Sequence, residues 1–354
     1  MKRRYFWLIS ILVSSLLLIL TGCGHSQASH RHTKVLNIIG WSEYVPQNVL
    51  DDFTKETGIR INYISYSDPD QMLSKVLSSA NGTYDMVLAP GMYVQTLQKL
   101  GRLEKLNKNK IPNYKNINSL ALNEPYDRHN QYSSPYLGTV VGIAYNKKKV
   151  KNKITSYQDL LNPSLKNQLV TVEDSRAVVG CALMATGHKI NDTSKPALKD
   201  ASAYLKKLKP NIQIFDGASP KTPLINNQVS AGLVYGGEIA LAIKNNPNIN
   251  VVYPKEDIYF SYDVFMKLKK APNGSNVEKF INYMLRPNVS VKFSKAFPYY
   301  NPNNKAVKLL PKDLRNNPAV MVPKPVLKRS QTVLDIGKNT SKIDEVWNNF
   351  KGNN

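Results

Sequence analysis

Residues 35–66, VLNIIGWSEYVPQNVLDDFTKETGIRINYISY, contain the pattern that decides the fold. Residues 35–39 form an apolar run, which is typical of a buried strand. Apolar residues at helical spacing follow Pro46 and continue as far as Gly58, a residue type that commonly ends helices. Residues 59–66 are rich in β-forming side chains. The stretch therefore predicts a strand, a helix and a second strand.

The same alternation continues outward from this stretch. Further strands are predicted at residues 85–88, 139–145, 168–173, 212–215, 231–235, 249–253 and 263–268. Further helices are predicted at residues 69–77, 91–100, 177–186, 197–208 and 238–244, from a cap at Ser275, and at 343–350. Residues 298–325 are rich in Pro and Asn and are predicted to cross the surface. With no dividing linker and no fixed repeat, the pattern predicts an α/β fold whose sheets are covered by helices.

Composition bounds the class of protein. The chain has 354 residues, 42% of them hydrophobic and 21% charged, which is an ordinary globular mixture. Lys and Arg number 48 against 25 Asp and Glu, a formal net charge of +23. The lysines are spread along the chain, the densest run (147–151) is short, and no zinc-finger or RNP-type motif accompanies it. We therefore expect a solvated basic surface and no nucleic-acid partner.

Candidate catalytic and metal-binding residues are scarce. Two cysteines, Cys23 and Cys181, cannot form a disulfide scaffold or a four-cysteine zinc site, and there are only five histidines. The Gly-x-Ser-x-Gly, His-Glu-x-x-His, Gly-x-x-x-x-Gly-Lys and Gly-x-Gly-x-x-Gly motifs are missing. We expect no enzyme, no cofactor and no metal. Cys181 lies among apolar residues and is expected to be buried.

The first 34 residues predict the compartment. A basic start is followed by an apolar stretch and by Leu20-Thr21-Gly22-Cys23, a tetrad that resembles the bacterial lipobox. The resemblance implies a signal peptide over residues 1–22, cleavage before a lipidated Cys23, and a location outside the cytoplasm on the cell membrane. Residues 23–34 are polar and are predicted to be a tether. The alternative is a single uncleaved membrane anchor.

A candidate ligand-binding cluster follows the first strand. Trp41, Ser42, Glu43 and Tyr44 stand at the carboxyl end of that strand, where α/β sheets place their ligands. Trp41 and Tyr44 offer aromatic faces and Glu43 offers a negative charge. The structural alternative is a pair of strand-end aromatic residues packed on a helix.

Residues 41–61, including Phe53-Thr54-Lys55-Glu56-Thr57-Gly58, closely resemble the spermidine/putrescine-binding proteins of polyamine ABC importers. The resemblance covers almost the whole chain after Cys23 and continues through a set of short matching segments: Tyr84-Asp85-Met86-Val87, Pro135-Tyr136, Glu173-Asp174-Ser175-Arg176, Val252-Tyr253-Pro254-Lys255-Glu256, Leu285-Arg286-Pro287-Asn288-Val289 and Asp335-Ile336-Gly337. Each segment alone is weak, but their order and spacing together are specific.

The resemblance implies a two-lobed, type II periplasmic-binding-protein-like fold with a ligand cleft between the lobes. Lobe 1 would comprise residues 35–138 and 260–304, and lobe 2 residues 139–259 and 305–354. It further implies a monomer that captures spermidine or putrescine and delivers it to the permease subunits of an ABC importer. Another small solute bound by the same fold, or an extracytoplasmic enzyme, remains an alternative.

The resemblance also implies the ligand contacts. These would be Trp41, Ser42, Glu43, Tyr44, Met92, Tyr93, Asp174, Tyr235 and Asp263. The family often has tyrosine at the position of Met92. The chain departs from the family pattern at three further positions: Ala177 replaces a carboxylate, Ser261 replaces an aromatic residue, and the family's C-terminal glutamine aligns near Val333, with Gln331 close by. The departures leave the choice among amines open.

Overall fold

The computed structural model describes residues 34–42 and 44–352. The expectations for the signal peptide, for Cys23 and its tether, and for Glu43 lie outside these residues. Within them, no helix is long and apolar enough to cross a membrane.

Ten strands form the framework of the described part of the chain. They are β1 (Val35–Trp41), β2 (Arg60–Tyr66), β3 (Met86–Pro90), β4 (Ser133–Asn146), β5 (Leu169–Val172), β6 (Ile212–Asp216), β7 (Ala231–Tyr235), β8 (Ile249–Val252), β9 (Ile258–Lys267) and β10 (Ser330–Thr332).

Thirteen α-helices connect these strands or follow them in the same part of the chain. They are α1 (Gln47–Thr57), α2 (Pro69–Ser78), α3 (Met92–Lys99), α4 (Ser175–Ala185), α5 (Lys195–Leu208), α6 (Lys221–Ile225), α7 (Gly236–Asn245), α8 (Gly274–Met284), α9 (Pro287–Ala296), α10 (Asn304–Val307), α11 (Lys312–Arg315), α12 (Lys324–Lys328) and α13 (Thr340–Lys351). Short 3-10 helices lie at Lys108–Lys110, Pro112–Asn116, Ser119–Ala121, Tyr157–Leu161, Pro163–Leu165, Lys209–Asn211 and Gly337–Asn339.

Most predicted elements are present, with three corrections. Strand β4 begins at Ser133 and β9 at Ile258, five or six residues earlier than the alternation predicts, because both strands are buried on two faces and lack a polar face. Ser275 is not the cap of its helix: α8 begins at Gly274 and Asn273 occupies the N-cap position. Residues 298–325 contain short helices and buried apolar side chains rather than a simple surface crossing.

The strand order places two long strands between two sheets. The order is β2-β1-β3-β9-β4-β7-β5-β6, with β10 paired to β9 and β8 paired to β4. The first half of β4 pairs antiparallel with β9, whereas its second half pairs with β7 and β8. Strands β1, β2 and β3 are parallel to one another, as are β5, β6 and β7. β4 therefore passes from one sheet into the other.

The buried side chains divide in the same way. One cluster contains residues from β1, β3, α1, α8 and most of β9, and a second contains residues from α4, α5, α13 and the strands of the other sheet. A third, smaller cluster covers the opposite face of that second sheet. The molecule is a two-lobed α/β structure with helices over its sheets. The predicted lobe boundaries stay a prediction, and Val322 and Val326, expected in lobe 2, pack in the first cluster. Cys181 is fully buried, as predicted.

Candidate functional site

The carboxyl end of β1 places an indole ring at the edge of the first sheet. Trp41 pairs with Tyr66 of β2, and their ring centroids are 4.7 Å apart. The backbone N–H and the hydroxyl of Ser42 both donate to the Tyr66 carbonyl, at 2.8 and 3.2 Å. The strand end is thereby fixed by backbone pairing, and the Trp41 side chain is held beside an aromatic neighbour.

Asp263 of β9 lies next to this strand end. The Trp41 indole Nε1 donates to Asp263 Oδ1 at 3.1 Å, and the Tyr44 hydroxyl lies close enough to act on the carboxylate. Burial raises the pKa of Asp263 to about 6, although Trp41 and Tyr44 act in the opposite direction. None of the ion pairs among residues 34–42 and 44–352 includes Asp263. This carboxylate is desolvated, oriented by aromatic donors and not neutralised.

Tyr44 is held in place by other aromatic side chains. Its ring meets Tyr136 edge to face at a centroid distance of 5.2 Å and packs on Phe297 at 5.6 Å. The Tyr136 hydroxyl donates to the Tyr44 carbonyl at 2.8 Å. Burial, followed by the nearby Asp263 charge, raises the pKa of Tyr44 well above its usual range, so the hydroxyl remains a donor.

Asp174 supplies a second carboxylate from the other sheet. It is the N-cap residue of α4, and its Oδ1 accepts the backbone N–H of Ala177 at 2.9 Å. The Tyr235 hydroxyl, at the end of β7, donates to Oδ2 at 2.5 Å. The carboxylate therefore lies at the positive end of the α4 helix dipole. None of the described ion pairs includes Asp174.

The buried phenol of Tyr259 is acted on by the charges of both carboxylates. Its pKa is raised well above the usual value, first by burial and then by the charges of Asp174 and Asp263. Both charges are therefore close enough to act on one phenol. The structure brings together Trp41, Tyr44 and Asp263 from one sheet with Asp174 and Tyr235 from the other.

Met92 and Tyr93, the first two residues of α3, have side chains in different surroundings. Met92 is partly buried and packs against both the first and the second hydrophobic cluster, so it lies between the lobes. Tyr93 is buried, and its hydroxyl donates to Asp70 Oδ1 at 3.4 Å. Met92 is the better placed of the two to border a cleft.

Sequence reasoning missed Tyr299. Its ring lies 6.0 Å from that of Tyr44, and a methyl group added to Gly237, at the start of α7, would lie 2.6 Å from a carbon of the same ring. Tyr299 therefore bridges the lobes. The adjacent aromatic residues Tyr299 and Tyr300 could have indicated a site residue. They lie in a Pro- and Asn-rich stretch whose composition predicts a surface segment.

The three departures from the family pattern have structural roles. The Ala177 side chain is fully buried behind the Asp174 cap, and Ser261 is buried in β9 opposite Thr139. Val333 is buried in the second cluster. Gln331 accepts the Ile190 N–H at 2.8 Å and also donates to Asp257, which is a different neighbourhood from the two carboxylates.

The chemistry of the arrangement suits a cation. Two carboxylates, neither of them in a salt bridge among the residues that the structure describes, lie beside aromatic hydroxyl and indole groups, and a hydrogen-bond donor orients each carboxylate. Arg176 acts on Asp174 through its charge without forming a salt bridge. The described residues contain no group of His, Cys, Asp and Glu side chains that could hold a metal ion. A two-lobed α/β structure with such a site between its lobes defines the class of solute-binding receptors.

Comparison with known proteins identifies the family. Residues 48–322 match the model of the bacterial extracellular solute-binding protein family, and the chain belongs to this family. It is 32% identical to the spermidine/putrescine-binding periplasmic protein of Escherichia coli (strain K12), over 93% of this chain and 94% of that protein. It is 31% identical to spermidine/putrescine-binding periplasmic protein 1 of Haemophilus influenzae, over 94% and 95%.

A solved structure is similar over nearly the whole fold. The spermidine/putrescine ABC transporter substrate-binding protein PotD from Streptococcus pneumoniae is 27% identical, with a TM-score of 0.81, and the match covers 90% of this chain and 98% of that one. The protein is therefore a substrate-binding protein of the type that serves ABC importers.

Proposed function

We propose that this protein binds a small aliphatic polyamine, such as putrescine or spermidine, in the cleft between its lobes. The observation that carries the proposal is the pair of carboxylates, Asp174 and Asp263, each oriented by an aromatic donor and neither in a salt bridge within residues 34–42 and 44–352. The relatives named for spermidine and putrescine support the same ligand class.

The physics of the site fits a flexible chain with ammonium groups at its ends. A charge pair at 4 Å contributes about 4 kcal/mol of attraction at an effective dielectric of about 20, before the cost of desolvation. Because the fold itself desolvates Asp263, part of that cost is met during folding. An ammonium group over an aromatic face such as Trp41 adds about 0.5–2 kcal/mol. Several such contacts are needed to offset the ordering of the ligand's rotatable bonds.

The closing lobes would deliver the ligand to the permease subunits of an ABC importer, with the receptor acting as a monomer and without catalysing a reaction. The proposed contact set consists of the two carboxylates and Trp41, Ser42, Glu43, Tyr44, Met92 and Tyr235.

A comparison of thermal unfolding with putrescine, spermidine, agmatine, amino acids, sugars and metal ions tests the proposal. Stabilisation by amines alone supports it, whereas stabilisation by another class would identify a different solute. Chemical turnover of a bound amine would indicate an enzyme.

We further propose that Cys23 anchors the protein to the outer face of the cell membrane. Cys23→Ala removes the only thiol in the lipobox-like tetrad, so lipidation should be blocked. We expect an unprocessed precursor or release from the membrane fraction, measured by fractionation and mass spectrometry. Cys181→Ala is the matched control, because that thiol is buried. Normal processing and membrane retention of Cys23→Ala would contradict the anchor.

Tryptophan emission should report ligand binding. Within the described residues, Trp41 borders the proposed site, whereas Trp347 packs in α13 against Phe215 and Phe350. Putrescine should change the emission saturably, and Trp347→Phe should retain this change. Trp41→Phe should lose it and weaken binding by about 0.5–2 kcal/mol. An emission change that disappears with Trp347 instead would remove Trp41 from the site.

Putrescine affinity should decrease as the pH falls through about 6. In the empty protein the pKa of Asp263 is raised to about 6, and an ammonium ligand favours the ionised carboxylate. Below this pH a proton must leave before the charge pair forms, so affinity should fall by up to about tenfold per pH unit. Calorimetry between pH 5 and 8 measures the effect. A flat profile would show that Asp263 does not contact the amine.

A further inference from the structure

A cavity lies on the face of the crossing strands that is turned away from Asp263. Side chains alternate between the two faces of a strand, so Phe260 and Tyr262 of β9 point to the opposite face from Asp263. Both rings line a cavity of about 420 Å³. Pockets for small organic ligands have volumes of about 300–1,000 Å³, so the space is large enough for such a molecule.

The walls of this cavity come from both lobes. Leu120 and Glu124 precede β4, Asn191 follows α4 in the other lobe, and the β10 residues Gln331 and Thr332 complete the wall. We name the space formed by residues 120–125, 189–191, 260–262 and 327–334 the hinge pocket. Because β4, β9 and β10 pair where the two sheets meet, the dimensions of the hinge pocket depend on the relative position of the lobes.

Glu124 is the chemically distinctive group in the hinge pocket. Its Oε2 accepts the Thr332 hydroxyl at 2.7 Å, and burial raises the pKa of the carboxyl group. None of the ion pairs in the described part of the chain includes Glu124. The one lysine in the wall, Lys189, is neutralised by Asp257 at 3.3 Å. Arg176 lies behind another part of the wall, where it donates to Asn191 and to the Leu334 carbonyl, so the preference for a cation is local to Glu124.

We propose that the hinge pocket binds a small organic ammonium ion. Its charged group contacts Glu124, and its apolar part lies against the rings of Phe260 and Tyr262. Two amide side chains of the wall are occupied: Gln331 bonds to Ile190 and Asp257, and Asn191 bonds to Thr332, Leu334 and Arg176. Glu124 is thus the charged wall group that retains capacity for a ligand.

Occupancy of the hinge pocket should be coupled to the cleft. The structure holds the hinge pocket open while Tyr299 meets Gly237 across the lobes and Asp174 and Asp263 both act on Tyr259. A molecule that fits the pocket in this arrangement stabilises the same arrangement, so it should strengthen binding in the cleft. By linkage, a cleft ligand strengthens binding in the hinge pocket by the same factor.

Benzylammonium is a suitable probe, and benzyl alcohol is its neutral control. Calorimetric titration of the mature chain, with putrescine added to fill the cleft, should show one equivalent of bound benzylammonium. Glu124→Gln keeps an acceptor for Thr332 but removes the charge, and should weaken benzylammonium binding by about tenfold or more. Leu120→Trp should fill the pocket and abolish binding of both probes. Glu345→Gln, at an exposed position of α13, controls for the loss of one negative charge.

The outcomes separate this site from the proposed polyamine cleft. Glu124→Gln reports on the hinge pocket and Asp263→Asn on the cleft, so the pocket test stands even if putrescine fails to bind. Parental benzylammonium affinity in a folded Glu124→Gln variant, or equal affinities for benzylammonium and benzyl alcohol, would overturn the ammonium site. Unchanged putrescine affinity at saturating benzylammonium would overturn the coupling, whereas an increase of about three- to tenfold supports it.

Discussion

Asp263→Asn should weaken putrescine binding by about 10- to 100-fold. The substitution removes one negative charge at nearly constant shape, and a hydrogen bond to a charged group contributes about 1.5–3 kcal/mol. The retained side-chain oxygen can still accept the Trp41 indole N–H, which is 3.1 Å from Asp263 Oδ1. Calorimetry at pH 7.5 measures the loss, and the pH dependence of binding near 6 should disappear in the same variant.

The same substitution should stabilise the empty protein. The pKa of Asp263 is raised from 3.8 to about 6 in the folded state, so the ionised carboxylate opposes folding at neutral pH. The folded state binds the proton more tightly than the unfolded state, and this cost decreases as the pH falls from about 6 towards 4. We expect Asp263→Asn to raise the free energy of unfolding by about 1–3 kcal/mol at pH 7.5, with little gain near pH 4.

Opposite changes in affinity and stability distinguish a binding residue from a structural one. Glu345→Gln also removes one carboxylate, but from an exposed position in α13, and should change neither quantity by more than about 0.5 kcal/mol. If Asp263→Asn binds putrescine with parental affinity, Asp263 does not belong to the site. If it loses affinity and stability together, the carboxylate supports the fold instead.

Local pattern was sufficient for the elements that define the architecture. The strand, helix and strand of residues 35–66 are present as β1, α1 and β2, and the predicted strands and helices are present through α7, although the short helix α6 was not predicted. Apolar periodicity and helix-ending residues act within a few neighbours, so they are visible in one sequence. The α/β class and the two-lobed fold followed from this pattern and from the family resemblance.

The relations between distant segments could not be derived from the pattern alone. The Trp41–Asp263 hydrogen bond joins residues 222 positions apart, and the contact of Tyr299 with the α7 start depends on how β4 crosses between the sheets. The first halves of β4 and β9 were not predicted from the sequence, because strands that are buried on both faces show no alternation of polar and apolar residues. In the sequence, Ala177 stands where the family has a carboxylate and therefore indicated a lost charge. In the structure its methyl group is buried behind the helix cap formed by Asp174.

Asp174→Asn should weaken putrescine binding by about tenfold while leaving n-butylamine binding nearly unchanged. A diamine can place one ammonium group at each carboxylate, one in each lobe, whereas a monoamine can use only one of them. The parent protein should therefore prefer putrescine strongly, and removal of the Asp174 charge should reduce that preference. Competition calorimetry with the two amines measures the ratio of affinities directly.

The choice of asparagine separates the two roles of Asp174. Asn caps a helix about as well as Asp, so the bond from the Ala177 N–H at 2.9 Å can persist and stability should change by less than about 1 kcal/mol. Tyr235→Phe removes only the donor to Oδ2 and should have a smaller effect on putrescine, because the carboxylate remains. Equal losses for both amines in Asp174→Asn would mean that the cleft itself is disturbed. Parental affinity for both would place the second ammonium elsewhere, since a charge that binds one end of a diamine cannot be removed without cost.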